Sequence, residues 1–130
     1  MLANPAAAPV TIAVIGLSAN RDKPSHYVPA YMQQHGYRIL PVNPTLDAVL
    51  GEKSYSTLAD LPIKPDIVNV FRLPHYIPAI VDEMLELGLE NLWVQSGIVN
   101  LEAAARAEAG GIHVIMDRCI MVEHRRLATR

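Results

Sequence analysis

Short apolar runs recur along the chain, and a glycine or a polar residue follows each of them. Runs of this kind, rich in β-branched residues, are typical of strands that are buried on both faces of a parallel sheet. The pattern predicts five strands, at residues 11–15, 38–42, 66–71, 91–95 and 112–116.

Segments with helical spacing of apolar residues lie between these runs. Val28, Tyr31, Met32 and His35 follow the i, i+3, i+4, i+7 pattern, and residues 77–87 and 101–109 predict two further helices. We expect Asn100 to cap the third helix, a last helix near residues 121–127, and helix ends at Gly36, Gly88 and Gly110. The weaker segments 46–50 and 55–61 predict short helical turns.

Strands that alternate with helices predict βαβ units in an α/β protein. We therefore expect a three-layer Rossmann-like fold, with about five parallel strands and helices on both faces of the sheet. Ligands of such sheets bind at the carboxyl ends of the strands, where the strand order reverses. The residues that directly follow each strand are thus the candidates for function.

Composition narrows the class of protein. The 130 residues are 51% hydrophobic, and 11 Lys and Arg against 13 Asp and Glu give a net charge of −2. We expect a tail at 1–10 and one domain at 11–130, without the basic field that nucleic-acid binding needs. No signal sequence or membrane-length apolar run is evident, so we expect a cytoplasmic protein.

The loop after the first strand is the first candidate site. Gly16 lets the backbone turn tightly, Ser18 adds a hydroxyl, and Arg21 and Lys23 add positive charge. The free N–H groups of the loop and of the following helix would favour a phosphate or pyrophosphate. The alternative is an ordinary turn with solvated charges.

This loop lacks the features of NAD-binding and ATP-binding motifs. The G-x-G-x-x-G fingerprint fails at Ser18 and Arg21, and no Walker A motif is present. The second strand ends in Val42-Asn43-Pro44, without the acidic residue that holds the ribose of NAD. NADP stays open, because Arg21 or Lys23 could hold its 2′-phosphate.

Two further loops carry candidate binding residues. Asn43 and Pro44 form either a plain turn or one wall of an adenine or ribose pocket. Phe71 and Arg72 follow the third strand, where a guanidinium could bind a phosphate with two hydrogen bonds. The alternative for Arg72 is a surface role, in a helix cap or an ion pair with Asp66 or Glu83.

The loop after the fourth strand could contact a ligand amide. Gln95 offers hydrogen bonds, and Gly97 permits close approach of the backbone. We expect Trp93 to pack in the core. None of the five histidines has a metal-binding spacing, and we assign no catalytic or metal-ligating residue.

Taken in order, these loops resemble those of the small stand-alone CoA-binding domain proteins of bacteria and archaea. The family is similar to the CoA-binding domain of succinyl-CoA synthetase α subunits and of NDP-forming acyl-CoA synthetases. The resemblance covers nearly the whole chain after the tail. It rests on IAVIGLS at 12–18, KPS at 23–25, GY at 36–37, LPVNP at 40–44, LG at 50–51, Tyr55, VFR at 70–72, LWVQ at 92–95, GI at 97–98 and MDRC at 116–119.

The resemblance implies a Rossmann-like sheet with coenzyme A across its carboxyl edge. It places the nucleotide and phosphates near the first loop and the pantetheine arm near the fourth strand. The implied binding residues are Gly16, Ser18, Arg21, Lys23, Asn43, Pro44, Phe71, Arg72, Gln95, Ser96 and Gly97. Related ligases add a phosphohistidine and a nucleotide-binding domain, for which a chain of 130 residues has no room.

Three functions remain open from the sequence. The first is a non-catalytic module that binds or senses CoA or an acyl-CoA, and the second is an NADP-dependent oxidoreductase or another enzyme. The third is an interaction subunit of an acyl-CoA enzyme, with a protein partner or a second copy of the chain. Cys119 is either a buried apolar residue or a thiol that meets the thiol of CoA beside the charge of Arg118.

Overall fold

A computed structural model describes residues 1–2 and 9–128 of the chain. Five parallel strands form the main sheet, and two short strands form a separate antiparallel hairpin. In chain order the strands are β1 (Thr11–Ile15), β2 (Arg38–Val42), β3 (Ala48–Val49), β4 (Glu52–Lys53), β5 (Ile67–Val70), β6 (Asn91–Val94) and β7 (His113–Ile115).

Four α-helices connect or follow these strands, so the predicted three-layer α/β fold is confirmed. They are α1 (Pro24–Gln34), α2 (Ile77–Leu87), α3 (Leu101–Ala109) and α4 (Ile120–Ala128). The side chain of Asn100 accepts a hydrogen bond of 3.0 Å from the N–H of Ala103, which confirms the predicted cap of α3. Gly88 ends α2 in the left-handed conformation, with φ of 71°.

The strand order of the main sheet is β2-β1-β5-β6-β7. The chain leaves β1 for β2 on one side and later returns to place β5 on the other side. The strand order therefore reverses between β1 and β5, and a crevice opens there at the carboxyl edge. Gly16 directly follows β1, and the N–H of Phe71 after β5 donates to the carbonyl of Ile15 at 2.9 Å.

The sheet is buried on both faces, as its continuous apolar strands predict. On one face Val68, Leu92 and Val94 pack against α2 and α3. On the other face Val14 and Trp93 pack with α1 and α4. Trp93 is in the core as expected, and its indole N–H donates to the carbonyl of Arg118 at 2.9 Å.

The connection between β2 and β5 differs from the prediction. Residues 46–50 were expected to form a helical turn, but β3 and β4 pair there as a hairpin. Residues 55–61 contain one 3₁₀ turn, Leu58–Asp60, as expected of a short helical turn. Ser54 donates to the carbonyl of Asn43 at 2.9 Å, and this bond holds the hairpin against the end of β2.

Part of the predicted tail lies outside the described residues, so the division into a tail and a domain stays a prediction. Leu2 is buried, and its carbonyl accepts a hydrogen bond of 2.6 Å from the hydroxyl of Tyr37. Within residues 1–2 and 9–128, no helix has both the length and the apolar character that crossing a membrane requires.

Helices α1 and α4 meet at an aromatic cluster formed by Tyr31, His35, Tyr37 and His124. Nδ1 of His124 lies 2.8 Å from the hydroxyl of Tyr31, and the ring of His124 contacts the rings of His35 and Tyr37 edge-on. Burial, and then the nearby charge of His35, lower the pKa of His124 below its ordinary value. The folded protein therefore binds a proton at His124 less tightly than the unfolded chain does.

Acidification is expected to destabilise the fold through His124. The cost is absent well above the ordinary histidine pKa of about 6.5 and grows as the pH falls through that value towards the lower pKa of the folded state. Urea unfolding between about pH 7.5 and 5.5 should show a larger loss of stability for the wild type than for His124→Gln, whose amide can still accept from Tyr31. Equal pH dependence of the two proteins would contradict this assignment.

Candidate binding site at the carboxyl edge

Two adjoining pockets open at the carboxyl edge of the main sheet. The first pocket, of about 310 Å³, lies over the ends of β1 and β2. The second pocket, of about 590 Å³, lies over the ends of β5 and β6 and reaches α1 and α4. Arg72 lines both pockets and marks the place where they adjoin.

The first pocket combines apolar walls with a few polar groups. Ile15, Val42 and Ile80 supply apolar surface, and Tyr76 supplies an aromatic ring. The predicted residues at this pocket are Gly16, Asn43, Pro44 and Arg72. Sequence reasoning missed Ser56, Tyr76, Ala79 and Glu83, which complete the lining.

The missed residues on α2 share one helical face. Tyr76, just before α2, and Ala79, Ile80 and Glu83 follow the i, i+3, i+4, i+7 spacing, whereas the helix was predicted from its apolar positions at 77–87. Glu83 brings a carboxylate into a pocket that was expected to lack acidic groups, because the expectation considered only the end of β2. In the described part of the chain, Glu83 forms no ion pair with Arg72.

The guanidinium of Arg72 is stacked but not neutralised. Its central carbon lies 3.9 Å from the centre of the Tyr76 ring, a cation–π arrangement. Within residues 1–2 and 9–128 it has no carboxylate partner and donates no hydrogen bond to the protein. The proposed surface pairing with Asp66 or Glu83 is therefore not found, and the five N–H donors remain available to a ligand.

Gly16 is required by close packing of the backbone. Its φ is 87°, and a Cβ atom at this position would lie 2.5 Å from the carbonyl oxygen of Phe71. The first loop can pass this close to the end of β5 only because Gly16 has no side chain. The glycine thus brings the loop, Phe71 and Arg72 together at one point of the sheet edge.

The first loop satisfies much of its own hydrogen bonding. The N–H groups of Gly16 and Ser18 donate to the carbonyls of Val42 and Ser25, and those of Asn20 and Lys23 donate within the loop. His26 and Tyr27 at the start of α1 both donate to the carbonyl of Lys23. The expected cradle of free N–H groups is therefore partly occupied, whereas the N–H groups of Leu17, Ala19 and Arg21 donate to no described residue.

The predicted residues of the first loop separate in the structure. Lys23 lines the second pocket, and its ammonium has no acidic partner in the described part of the chain. Ser18 and Arg21 line neither pocket; the hydroxyl oxygen of Ser18 accepts from the N–H of Asn20 at 3.0 Å. Arg21 is exposed on the loop.

Asn43 braces two loops with its side chain. Its amide nitrogen donates to the carbonyl of Leu17 at 2.9 Å, and its amide oxygen accepts from the N–H and the hydroxyl of Thr45. These bonds tie the loop after β2 to the loop after β1. Asn43 therefore shapes the wall of the first pocket.

Gln95 forms part of the floor of the second pocket and is held by a buried network. Its side-chain oxygen accepts from Nδ2 of Asn69 and from the N–H of Ile120, both at 3.1 Å. Asn69 also donates to the carbonyl of Trp93, which fixes the orientation of its own amide. Because the Ile120 N–H can only donate, the oxygen of Gln95 must face it and the NH₂ group must face elsewhere.

The remaining predicted residues lie around the second pocket. Phe71 and Ser96 line it, whereas Gly97 does not. The N–H of Gly97 donates to the carboxylate of Asp117 at 2.6 Å, and its φ of 83° makes the turn after β6. The lining also includes Tyr27, Val28, Leu73, Ile98, Cys119, Met121 and Val122. Most of them come from α1 and α4, which the residues after each strand could not reveal.

The comparison with protein families decides the identity of this domain. A model of the CoA-binding domain matches residues 10–125. The chain belongs to the CoA-binding domain family. The resemblance that the loops indicated is therefore confirmed. Within residues 1–2 and 9–128, this CoA-binding domain contains no cluster of potential metal ligands.

Relatives of this CoA-binding domain occur as small proteins and as parts of large ligases. It is 47% identical to the uncharacterized protein YneT of Bacillus subtilis, over 87% of this chain and 84% of that protein. It is 42% identical to a solved Thermus thermophilus protein described as cell-free ID.343, with a TM-score of 0.87 over 92% of this chain and 90% of that one. It is 28% identical to acetate–CoA ligase [ADP-forming] II of Archaeoglobus fulgidus, over 77% of this chain but 15% of the ligase.

Proposed function

We propose that this protein binds coenzyme A or an acyl-CoA across the two pockets and acts as a non-catalytic binding or sensor module. The observation that carries the proposal is the unpaired guanidinium of Arg72 between an adjoining pair of pockets. A ligand with an anionic diphosphate between a nucleotide end and a largely uncharged flexible arm would fill this arrangement. Coenzyme A has this form, with a diphosphate between its nucleoside and its pantetheine arm.

The first pocket suits the nucleoside end of the ligand. Ile15, Val42 and Ile80 offer apolar surface to a base, and the ring of Tyr76, which already contacts Arg72 and His75, borders this surface. Ser56 and Glu83 can accept hydrogen bonds from ribose hydroxyls or from an exocyclic amino group. Asn43 and Pro44 also line this pocket.

The second pocket suits the pantetheine arm. Its walls are mainly apolar, with Val28, Phe71 and Met121 among them, and the NH₂ group of Gln95 supplies a donor for an amide carbonyl. Ser96 adds a hydroxyl at the edge. A flexible chain with two amides needs this mixture of apolar contact and placed hydrogen bonds.

The phosphates would lie along the rim between the pockets. Arg72 can bind the diphosphate with two hydrogen bonds, and Lys23 adds charge from the second pocket. Arg21 and Ser18 on the exposed loop complete the proposed phosphate contacts, with Gly16 and Gly97 shaping the turns on either side. The 3′-phosphate of CoA would meet these rim cations.

The two alternative functions from the sequence differ from this proposal in the ligand or partner that they require. An NADP-dependent oxidoreductase would prefer a nicotinamide dinucleotide, and an interaction subunit would bind its protein partner equally well without CoA. We place the CoA-binding form in the cytoplasm, with a small-molecule ligand and no nucleic-acid or membrane partner.

Calorimetry with CoA, 3′-dephospho-CoA, NAD and NADPH tests the proposal. We expect CoA to bind most tightly, and loss of the 3′-phosphate to weaken binding about tenfold or more, the scale of one lost bond to a charged group. Native mass spectrometry of freshly purified protein should show retained CoA. Tightest binding of NADPH, or no binding of CoA to folded protein, would refute the proposal.

A further inference from the structure

A buried amide is aimed into the second pocket and has no partner there. Gln95 is only 4% exposed, and its oxygen holds two hydrogen bonds. Its NH₂ group donates to no described residue. Within residues 1–2 and 9–128, every side-chain nitrogen or oxygen that is fully buried has a hydrogen-bond partner, so an NH₂ group without one cannot be fully buried. The NH₂ group therefore keeps accessible surface, and the pocket that Gln95 lines is where that surface lies.

The same hydrogen bond that orients Gln95 fixes a thiol beside it. Ile120, whose N–H donates to the oxygen of Gln95, directly follows Cys119 in the chain. Cys119 is half-buried, lines the second pocket, and accepts the N–H of Glu123 on its carbonyl at 3.0 Å as α4 begins. An amide donor and a free thiol thus share the floor of one pocket.

Cys119 lines the pocket with one part of its surface and packs against the core with another. Phe71, Met121 and Val122 supply apolar walls, and the charged residues at this pocket are Arg72 and Lys23, which directly precedes α1. Arg118, the residue before Cys119, lies 3.7 Å from Glu123 and is largely exposed. The chain has a single cysteine, so no second protein thiol can compete.

We infer that Cys119 is a covalent capture site for the thiol end of the ligand, through a mixed disulfide with coenzyme A. This inference rests on the proposed CoA site. With the nucleotide held at Arg72 and an amide of the arm held by Gln95, the sulfur end of the arm lies in the pocket that contains Cys119. The pocket would then bind CoA reversibly when reduced and hold it covalently when oxidised.

The reaction is a thiol–disulfide exchange with a CoA disulfide as the oxidised partner. The Cys119 thiolate attacks one sulfur of that disulfide. A bond forms between Cys119 Sγ and the sulfur of one CoA, and the original S–S bond breaks. The second CoA leaves as a thiolate and takes up the proton that Cys119 lost. A reducing dithiol reverses the step.

Intact-mass measurement tests this directly. Native protein is incubated with about 10 μM CoA disulfide or, separately, with the same concentration of glutathione disulfide. With CoA disulfide we expect the mass of one CoA to be added per chain. Binding first places the disulfide near Cys119 at about millimolar effective concentration, so CoA disulfide should react about a hundredfold faster than glutathione disulfide. Dithiothreitol should remove the adduct. The adduct should not form on Cys119→Ser or Cys119→Ala, and circular dichroism verifies that these variants are folded.

Two comparisons separate this inference from the proposed function. Arg72→Ala should slow the reaction with CoA disulfide much more than it slows the reaction with glutathione disulfide. Calorimetry with reduced CoA reports the site itself. If reduced CoA binds but native protein gives no adduct while urea-unfolded protein does, or if both disulfides react at equal rates, capture is wrong and the binding site stands. If reduced CoA does not bind, the proposed function fails as well.

Discussion

Replacing Arg72 with alanine should weaken CoA binding about tenfold to a hundredfold. In the described part of the chain the guanidinium has no carboxylate or hydrogen-bond partner, so the substitution leaves no buried carboxylate unpaired. The loss is then the bond between a cation and the ligand phosphates, typically about 1.5–3 kcal/mol. Calorimetry with CoA measures the ratio of the two dissociation constants.

Two matched variants sharpen this test. Arg38→Ala removes the same charge from an exposed position at the opposite, amino-terminal edge of β2, and binding should be unchanged. Arg72→Lys keeps the charge but loses the planar fork and the stack on Tyr76, so its affinity should lie between those of wild type and Arg72→Ala. Wild-type affinity in a folded Arg72→Ala protein would remove the basis of the proposed site.

Replacing Gly16 with alanine should cost stability even without any ligand. The φ of 87° adds about 1–2 kcal/mol for a residue with a side chain. The new Cβ would meet the carbonyl oxygen of Phe71 at 2.5 Å, and forced backbone movement typically adds about 1–3 kcal/mol. Urea unfolding should therefore show a decrease of about 2–5 kcal/mol in the free energy of unfolding.

Gly36→Ala is the control for this substitution. Gly36 has a φ of 91°, but no atom lies within 4 Å of a Cβ placed there. Gly36→Ala should therefore lower the free energy of unfolding only by the cost of the positive φ, about 1–2 kcal/mol. If the two variants lose the same stability, the end of β5 can move away from the first loop, and the close packing at Gly16 is not a fixed feature.

The main sheet could be predicted from the sequence because its strands are buried on both faces. Continuous apolar runs located β1 and β2 to the residue, at Thr11–Ile15 and Arg38–Val42. The β3–β4 hairpin was missed for a local reason. Leu50 and Gly51 both adopt positive φ, at 57° and 74°. Asparagine or aspartate usually takes the first of these positions, so Leu50 gave no turn signal.

The candidate site was predicted in part for a similar reason. Residues that follow strands, such as Arg72 and Gln95, could be placed at the edge because parallel strands end together. Tyr76 and Glu83 could not, because a helical period shows that a face is covered but not whether protein or a ligand covers it. The internal bonds of the first loop depend on the path of the backbone, which the motif alone does not reveal.

The position of Arg72 as a wall common to both pockets has a thermodynamic consequence. A ligand fragment that binds in one pocket and contacts Arg72 would restrict the Arg72 side chain, which also borders the other pocket. Fragments of a ligand would therefore not bind independently, and the influence of each on the affinity of the other must be equal in both directions.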